Sequence, residues 1–323
     1  MSLPRRVIDF LDEAGWRDAV AASLPGDASA RRYLRLRRAG GASALLALAP
    51  AGDMMTPRWL DLAQRLRALG ISVPGVLDAD PQAGLVLQED LGERSFAGLL
   101  DQGARPAPLL CLAAEMLATL AHRFRPQQHG AGLPCFNQAY FLDQLALFAD
   151  GHPPADAPGP RQDFLAAWAQ ALGRLPALPP TLVLRDCHAG NLFHRPQASG
   201  IAACAAIDFQ DAGIGPPLYD LVSLLEDARR DYPARAVALA RARYRALAPP
   251  IAERDFATAW SLLAAQRQCR VLAIFRRLAE QGRPDYAVHL PRVRRFLRRH
   301  LRGPVLAPVA RWFARTLPGY LDG

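Results

Sequence analysis

The sequence predicts an α+β protein with a small β-rich N-terminal lobe and a larger, mostly helical C-terminal lobe. Three observations predict this class. Over the first 90 residues, short runs of β-favouring residues alternate with helical stretches, and glycine-containing turns separate them. From about residue 93 onward, apolar residues recur mostly at helical spacing. Two short apolar β-type runs interrupt this helical part between residues 182 and 207. We therefore expect one lobe over residues 1–90 and a second over residues 91–323.

The N-terminal lobe is expected to hold two helices and four strands. Val7, Phe10 and Leu11 belong to an apolar pattern with helical spacing. Two β-type runs flank a turn at Gly40 and Gly41, which is typical of a hairpin. The expected elements are a helix over 3–22, strands over 32–37 and 44–49, a helix over 56–69, and strands over 71–78 and 84–88.

The C-terminal lobe is expected to be helical apart from one pair of short strands. A proline- and glycine-rich stretch over 151–160 separates two of its helices. The expected strands cover residues 182–184 and 202–207. The expected helices cover residues 93–101, 107–123, 137–149, 161–173, 218–230, 232–247, 253–280, 284–302 and 307–317.

All 39 basic residues of the 323-residue chain are arginines, which excludes every mechanism that needs a lysine. The formal net charge of +9 is concentrated between Arg267 and Arg302, where eleven arginines face only Glu280 and Asp285. We expect this segment to form packed helices with a solvated charged face. Two alternative roles for this segment stay open. It would either steer anionic substrates by its charge, or bind nucleic acid or an anionic membrane surface. No nucleic-acid-binding motif accompanies the arginines, so we expect no nucleic-acid partner.

The remaining composition favours a cytoplasmic protein. Its five cysteines are scattered without a C-x-x-C pair, which favours reduced thiols over disulfides or a zinc site. No apolar run approaches the roughly 18 residues of a membrane span, and no signal peptide is evident. We expect no membrane partner, and we expect a monomer.

Three polar residues at loop positions carry the chemical signal. Asp186 and Asn191 are five residues apart, and Asp208 follows an apolar β-type run seventeen residues further on. Phosphoryl transfer needs a carboxylate that orients and deprotonates the attacking hydroxyl, together with hard oxygen ligands for magnesium. This spacing is that of a kinase catalytic loop followed by a metal-binding aspartate. An Asp/Asn pair that only caps a turn is the alternative.

These motifs, with others, resemble the aminoglycoside phosphotransferase-type small-molecule kinases over nearly the whole chain. More narrowly, the chain is similar to bacterial anomeric kinases of N-acetylmuramate and N-acetylglucosamine, which serve cell-wall sugar recycling in the cytoplasm. The resemblance is most specific from Ile207-Asp-Phe-Gln-Asp to Glu226-Asp-Ala-Arg-Arg-Asp. It implies a protein-kinase-like bilobal fold, ATP and Mg²⁺ as cofactors, and a small amino sugar as substrate.

The resemblance also implies roles for individual residues. Asp186 would be the catalytic base, and Asn191 and Asp208 would hold the metal. Asp220 would anchor the catalytic loop. The residues expected to bind the nucleotide are Ser29, Ala30, Arg31 and Arg32 in a phosphate-covering loop, and Gln88, Glu89 and Leu91 in the interlobe hinge. The residues expected to contact the sugar are His188, Gln210, Asp211 and Glu226.

Two departures from the kinase pattern leave other functions open. Leu184 stands where kinases carry a histidine, and the strand over 44–49 lacks the lysine that pairs with the phosphates. An arginine such as Arg31 or Arg32 would have to supply that charge. One alternative keeps the fold and takes an aminoglycoside or an amino alcohol as acceptor. The other is a nucleotide-binding pseudokinase.

Overall fold

Two compact units make up the protein in a computed structural model, which describes residues 3–24, 31–151 and 158–322. The first unit comprises Met1–Gly103 and Gly190–Gln210, and the second comprises Ala104–Ala189 and Asp211–Gly323. The segment 190–210 therefore packs with the N-terminal part of the chain, although it follows the first five helices and strands of the second unit. The assignment of nucleotide binding to residues 1–90 and of catalysis to 91–323 stays a prediction.

The described residues form α-helices and short strands, with four 3-10 helices between them. The α-helices are α1 (Arg5–Glu13), α2 (Met55–Ala68), α3 (Phe96–Asp101), α4 (Pro106–Arg123), α5 (Pro126–His129), α6 (Gln138–Asp150), α7 (Pro158–Leu172), α8 (Tyr219–Leu225), α9 (Ala234–Leu247), α10 (Glu253–Glu280), α11 (Leu290–Leu301) and α12 (Ala307–Thr316). The strands are β1 (Val20–Ser23), β2 (Arg32–Arg37), β3 (Ser43–Leu48), β4 (Val76–Asp80), β5 (Leu85–Glu89), β6 (Thr181–Val183), β7 (Leu192–His194), β8 (Cys204–Ala206) and β9 (Gly213–Gly215). The 3-10 helices are Ala189–Asn191, Gly200–Ala203, Pro284–His289 and Pro304–Leu306.

A five-stranded antiparallel sheet is the framework of the first unit. Its strand order is β1-β2-β3-β5-β4, so the β2–β3 hairpin lies in the middle of the sheet. Leu34, Leu36 and Leu46 point to one face, where they form a core with Val7 and Phe10 of α1. Since side chains alternate across a strand, this one apolar face fixes the register of the sheet.

The helix expected over residues 3–22 is wrong in its second half. Helix α1 ends at Glu13, and Gly15 follows with a φ of 71°. Glycine reaches this left-handed conformation without steric cost, so it ends the helix here. The chain then forms the edge strand β1, in which Val20 pairs with Arg37. The pairing partner of β1 is β2, which comes later in the sequence, and helical spacing alone does not reveal it.

A second small sheet completes the first unit. Strands β7 and β8 pair as a hairpin, and an isolated bridge joins Ser72 to Ala205 of β8. Strand β4 begins at Val76, five residues after the expected start at 71, because Pro74 and Gly75 precede the paired stretch. Strand β7 was not predicted, since only three residues take part in it.

Helix α10, which runs from Glu253 to Glu280 as expected, is the central helix of the second unit. It packs against α6, α8 and α11, while α4 packs against α9. Strands β6 and β9 pair within this unit. Within the described ranges, no helix is both long and apolar enough to cross a membrane.

Two expected helices of the second unit differ from the structure. The helix expected over 218–230 ends at Leu225, where Glu226 leaves the helical conformation with a ψ of 51°. The segment expected as one helix over 284–302 is a 3-10 turn followed by α11. Helix α5 and strand β9 were not predicted, because each has only three or four residues.

Candidate functional site

A cavity of about 400 Å³ in the first unit brings together residues that are distant in the sequence. Cavities of this size are typical of small-ligand sites. Seven of the sequence-predicted site residues line it, namely Arg31, Gln88, Glu89, Leu91, Asn191, Asp208 and Gln210. Tyr33, Trp59 and Phe193 add aromatic surface to its wall. The cavity thus joins the expected nucleotide-binding and metal-binding positions within one unit.

The hinge segment at the end of β5 is held by contacts that neutralise its side chains. The Glu89 N–H donates to the carbonyl of Gly75 at 2.6 Å, and the Glu89 carboxylate lies 2.8 Å from Arg195. Asp90 pairs with Arg35 at 2.9 Å. Because both carboxylates already have cationic partners, they fix the course of the hinge and leave ligand recognition to other groups.

Asn191 and Asp208 lie side by side at the cavity. Asn191 Nδ2 donates to Asp208 Oδ2 at 3.3 Å, and Gln210 Nε2 donates to Asp208 Oδ1 at 2.6 Å. The hairpin of β7 and β8 creates this neighbourhood, since Asn191 immediately precedes β7 and the Ile207 N–H donates to the Asn191 carbonyl at 3.0 Å. The sequence places these residues seventeen positions apart, and strand pairing brings them into contact.

Backbone geometry at Asp208 is unusual. Its φ of 59° lies in the left-handed region, which a non-glycine residue rarely adopts. Phe209 is fully buried and stacks on Trp59, with ring centroids 5.4 Å apart. Arg58 Nε donates to the Gln210 carbonyl at 2.6 Å. These contacts hold the carboxylate of Asp208 at the cavity despite the cost of the backbone conformation.

The donor set suits a divalent cation that also binds phosphate. One carboxylate and one amide oxygen are hard ligands, and Mg²⁺ characteristically takes one or two protein ligands and completes its shell with phosphates and water. Asn191 would present Oδ1 after a half-turn of its amide. Across the described part of the chain, no group of three or more His, Cys, Asp or Glu side chains is placed to hold a metal by itself. The pair therefore fits a metal that arrives with a nucleotide.

Of the two described residues that are expected to cover the phosphates, Arg31 lines the cavity. Its Nη2 lies 3.3 Å from Asp53 Oδ2 and 3.4 Å from Thr56 Oγ1. Burial raises the pKa of the neighbouring Tyr33. Arg32 is exposed and is not among the residues that line the cavity. Ser29 and Ala30 lie outside the described residues.

In the second unit, Asp186 lies on a loop whose backbone is held by a buried carboxylate. Asp220 accepts hydrogen bonds from the N–H groups of Leu184 and Arg185, at 2.6 and 3.0 Å. This confirms the anchoring contact expected of Asp220. Burial raises its pKa to about 7, against the opposing effect of the two backbone hydrogen bonds. Arg185 has a φ of 79°, so the residue next to the expected base is strained as well.

Two residues expected to contact the sugar lie beside this loop. Arg185 Nη1 forms an ion pair with Asp211 at 2.7 Å. His188 is mostly buried, and burial lowers its pKa to about 4, with the charge of Arg229 acting in the same direction. Its imidazole is therefore neutral near neutral pH. Contact of either residue with a substrate stays a prediction.

The fourth residue expected to contact the sugar, Glu226, has strong partners within the protein. Only 3% of it is exposed, and it accepts from Trp260 Nε1 at 2.9 Å. His300 Nε2 lies 2.8 Å away and Arg299 Nη2 lies 2.6 Å away. Burial alone would raise the pKa of Glu226, but the hydrogen bond and charge of His300 and the charge of Arg299 lower it. Glu226 also lines a second cavity of about 550 Å³, and its contact with a sugar stays a prediction.

The arginine-rich segment forms packed helices, as expected. Val293, Phe296 and Leu297 of α11 are buried. Arg292 and Arg295 both pair with Asp231 on the polar side of the helix. Much of the positive charge in this segment is therefore neutralised within the protein.

Two buried arginines next to Asp186 were missed by the sequence reasoning. Arg270 is 7% exposed, and its Nη1 lies 3.9 Å from Asp186 Oδ1. Arg267 is 3% exposed, and the charges of Asp186 and Asp227 act on it. The available signal was a cluster of polar residues, from Gln266 to Arg270, within an otherwise apolar stretch of α10. Buried arginines in such a stretch indicate either a structural ion pair or a site.

Comparison with known proteins identifies the relatives of this chain. The sequence profile of the phosphotransferase enzyme family matches residues 20–260. An N-acetylmuramate/N-acetylglucosamine kinase from Caulobacter vibrioides is 33% identical, over 96% of this chain and 95% of the relative. A kinase of the same name from Pseudomonas aeruginosa is 31% identical, over 94% of this chain and 91% of the relative.

Solved structures show the same fold at low sequence identity. An amicoumacin kinase in complex with AMP-PNP, Ca²⁺ and amicoumacin has a TM-score of 0.62 at 17% identity, covering 94% of this chain and 95% of its own. A fructosamine-3-kinase homologue from Thermobifida fusca has a TM-score of 0.60 at 20% identity, covering 94% of this chain and 99% of its own. The α+β, protein-kinase-like fold expected from the sequence is thereby confirmed.

Proposed function

The chain belongs to the phosphotransferase enzyme family, and from this premise we propose that it is an ATP- and Mg²⁺-dependent kinase of amino sugars. The proposed acceptor is the anomeric hydroxyl of N-acetylmuramate or N-acetylglucosamine. The observation that carries the proposal is the cavity of the first unit, which joins the hinge to the Asn191–Asp208 pair. The names of the relatives from Caulobacter vibrioides and Pseudomonas aeruginosa support the choice of acceptor.

Nucleotide binding is assigned to the wall of that cavity. The backbone of residues 88–91 would hydrogen-bond the adenine, while the paired carboxylates of Glu89 and Asp90 keep the segment in place. Arg31 would supply the positive charge that a strand lysine provides in other kinases, because it lines the same cavity. Arg31 already pairs with Asp53 at 3.3 Å, so binding a phosphate oxygen would replace that contact.

Asn191 and Asp208 would hold magnesium through their side-chain oxygens. When bound, the metal neutralises the charge that builds up on the transferred phosphoryl group. Gln210, which donates to Asp208 at 2.6 Å, would keep that carboxylate oriented toward the metal. This hydrogen bond uses the amide nitrogen of Gln210 and leaves its amide oxygen out of the contact. The proposed role of Gln210 in sugar binding is therefore compatible with it.

Asp186 would be the general base. Its carboxylate would accept the proton of the anomeric hydroxyl as that oxygen bonds to the γ-phosphorus and the bond to the β-bridging oxygen breaks, releasing ADP. Asp220 accepts hydrogen bonds from the backbone N–H groups of the two residues that precede Asp186, and thereby orients the loop. Leu184, which stands where kinases carry a histidine, is buried and donates its N–H to Asp220. We propose that this backbone hydrogen bond holds the loop in place of the histidine side chain.

The proposal includes a cytoplasmic location and a monomeric state. All five cysteines are free thiols, which suits a reducing compartment in which ATP is available.

A transfer assay over several acceptors tests the proposal. The protein is incubated with magnesium and ATP labelled at the γ-phosphate, together with N-acetylmuramate, N-acetylglucosamine, an aminoglycoside or choline. We expect labelled product with the two amino sugars, and an acid-labile phosphate at the anomeric position. Asp186→Asn should reduce turnover by about 100- to 10,000-fold, the contribution typical of acid–base catalysis. Asp163→Asn, at an exposed aspartate of the same unit, is the control.

The other outcomes discriminate the alternatives. Transfer to the aminoglycoside or choline alone would replace the amino sugar as acceptor. Binding of ATP without transfer to any acceptor would indicate a pseudokinase. Full turnover by Asp186→Asn would contradict the assignment of the base.

A further inference from the structure

Arg267 and Arg270 form a buried arginine pair one turn apart on α10, and the pair faces the expected catalytic base. Arg270 Nη1 lies 3.9 Å from Asp186 Oδ1, and Arg270 Nε donates to Gln144 Oε1 at 3.1 Å. The Asp186 side chain itself is about one-third exposed, at 36%. A ligand that reaches Asp186 therefore comes close to the guanidinium group of Arg270, and Arg267 lies one turn earlier on the same helix.

The two arginines differ in how their donors are used. Arg270 is held by Gln144 and by the charge of Asp186, so its position is fixed within the protein. Arg267, in contrast, has no hydrogen-bond partner at Nε or Nη1 among the described residues. Asp227 and Asp186 act on it by charge alone. A buried donor without a partner is costly, and it is rare in folded proteins unless a ligand or ordered water completes it.

A carboxylate is the group that best fits such a donor set. Nε and one Nη of a guanidinium form a planar fork that binds the two oxygens of a carboxylate, and the charge strengthens both hydrogen bonds. Another nearby cation, Arg185, is already paired with Asp211 at 2.7 Å. The donors of Arg267 that lack a partner thus offer a site for an anion near Asp186.

The two proposed acceptors differ by one such group. N-acetylmuramate carries a lactyl carboxylate on carbon 3 of the ring that presents the anomeric hydroxyl, and N-acetylglucosamine has a hydroxyl there. We propose that Arg267 binds the lactyl carboxylate of N-acetylmuramate and thereby determines the preference between the two sugars. Arg270 is then a positioning residue that holds Asp186. This inference rests on the proposed function, since it assumes that Asp186 receives the anomeric hydroxyl.

Steady-state kinetics with Arg267→Met tests the inference. Methionine is unbranched and apolar like the aliphatic part of arginine, and it removes a buried charge that lacks hydrogen bonds, so the variant is expected to fold. The KM for N-acetylmuramate should rise about 10- to 100-fold, the effect of losing charge-assisted hydrogen bonds. The KM for N-acetylglucosamine and the KM for ATP should stay within about twofold of the wild type. Arg277→Met, at an exposed arginine of the same helix, is the matched control.

Each other outcome has a distinct meaning. An equal loss of kcat with both sugars would show that Arg267 only positions Asp186, and would overturn the inference. A rise in the KM for ATP alone would assign the fork to a nucleotide phosphate and would overturn it as well. Unchanged kcat and KM values of Arg267→Met with both sugars would also overturn the inference. Wild-type enzyme that phosphorylates N-acetylglucosamine but not N-acetylmuramate would refute this inference and leave the proposed function standing. Wild-type enzyme that phosphorylates neither sugar would overturn both.

Discussion

Replacing His188 by glutamine should remove a defined part of the acid sensitivity of this protein. Burial and the charge of Arg229 lower the pKa of His188 to about 4, against 6.5 in an exposed histidine. The unfolded chain therefore binds a proton at this residue below about pH 6.5, while the folded protein binds it only below about pH 4. The difference favours the unfolded state as the pH falls between these values.

The size of the effect follows from the two pKa values. Proton linkage at this one site destabilises the folded protein by less than about 1 kcal/mol at pH 6.5 and by about 2–3 kcal/mol at pH 4.5. The wild type should therefore lose about 2 kcal/mol more unfolding free energy over this interval than His188→Gln does. Asp220 acts in the opposite direction, because burial raises its pKa to about 7 and its protonation stabilises the folded state as the pH falls. Since both proteins contain Asp220, its effect cancels in the comparison.

Urea unfolding measured by circular dichroism at several pH values provides the assay. The quantity compared is the change in unfolding free energy with pH, so a constant destabilisation by the substitution does not affect the result. His122→Gln, the same substitution at a histidine that is exposed in the folded protein, is the control. An NMR titration of the imidazole resonance that is missing in His188→Gln measures the pKa directly.

Parallel pH profiles of wild type and His188→Gln would refute this reasoning. So would a titration of the His188 resonance near pH 6.5, since it would mean that burial does not disfavour the charged imidazole at this site.

Two further predictions concern packing and metal dependence. Gly213→Ala should destabilise the protein by about 1–3 kcal/mol in urea unfolding, because an added Cβ would lie 2.6 Å from both the Phe136 ring and the Pro134 carbonyl. Gly40→Ala, where nothing lies within 4 Å of the added carbon, is its control, and equal stability of the two variants would contradict the clash. Asp208→Asn should lower magnesium-dependent turnover by more than the roughly 10- to 100-fold typical of outer-shell changes, while Asp9→Asn, at an exposed aspartate, should not. Wild-type turnover by Asp208→Asn at limiting magnesium would remove Asp208 from the metal site.

Local sequence patterns predicted most elements of the fold, and the failures have identifiable causes. Helix α10 was predicted with its observed bounds because apolar residues recur at helical spacing both before and after its polar cluster. The helix expected over 3–22 was too long because Gly15, with a φ of 71°, ends α1, and the following strand β1 pairs with β2, which lies outside the window. Strand β9 was missed because Gly213 and Gly215 have little strand propensity, and its pairing with β6 decides its conformation.

The sequence by itself determined the family and the identity of the motif residues. Asp186, Asn191 and Asp208 are separated by spacings that a linear pattern can carry, and the absence of lysine is visible without coordinates. Only the tertiary structure decided which residues surround them. It placed Arg31 at the same cavity as Asp208, and it placed Arg267 and Arg270 of α10 beside Asp186. The physical reason is that the charge, burial and hydrogen-bonding of a side chain depend on neighbours in space, which here are far apart in the chain.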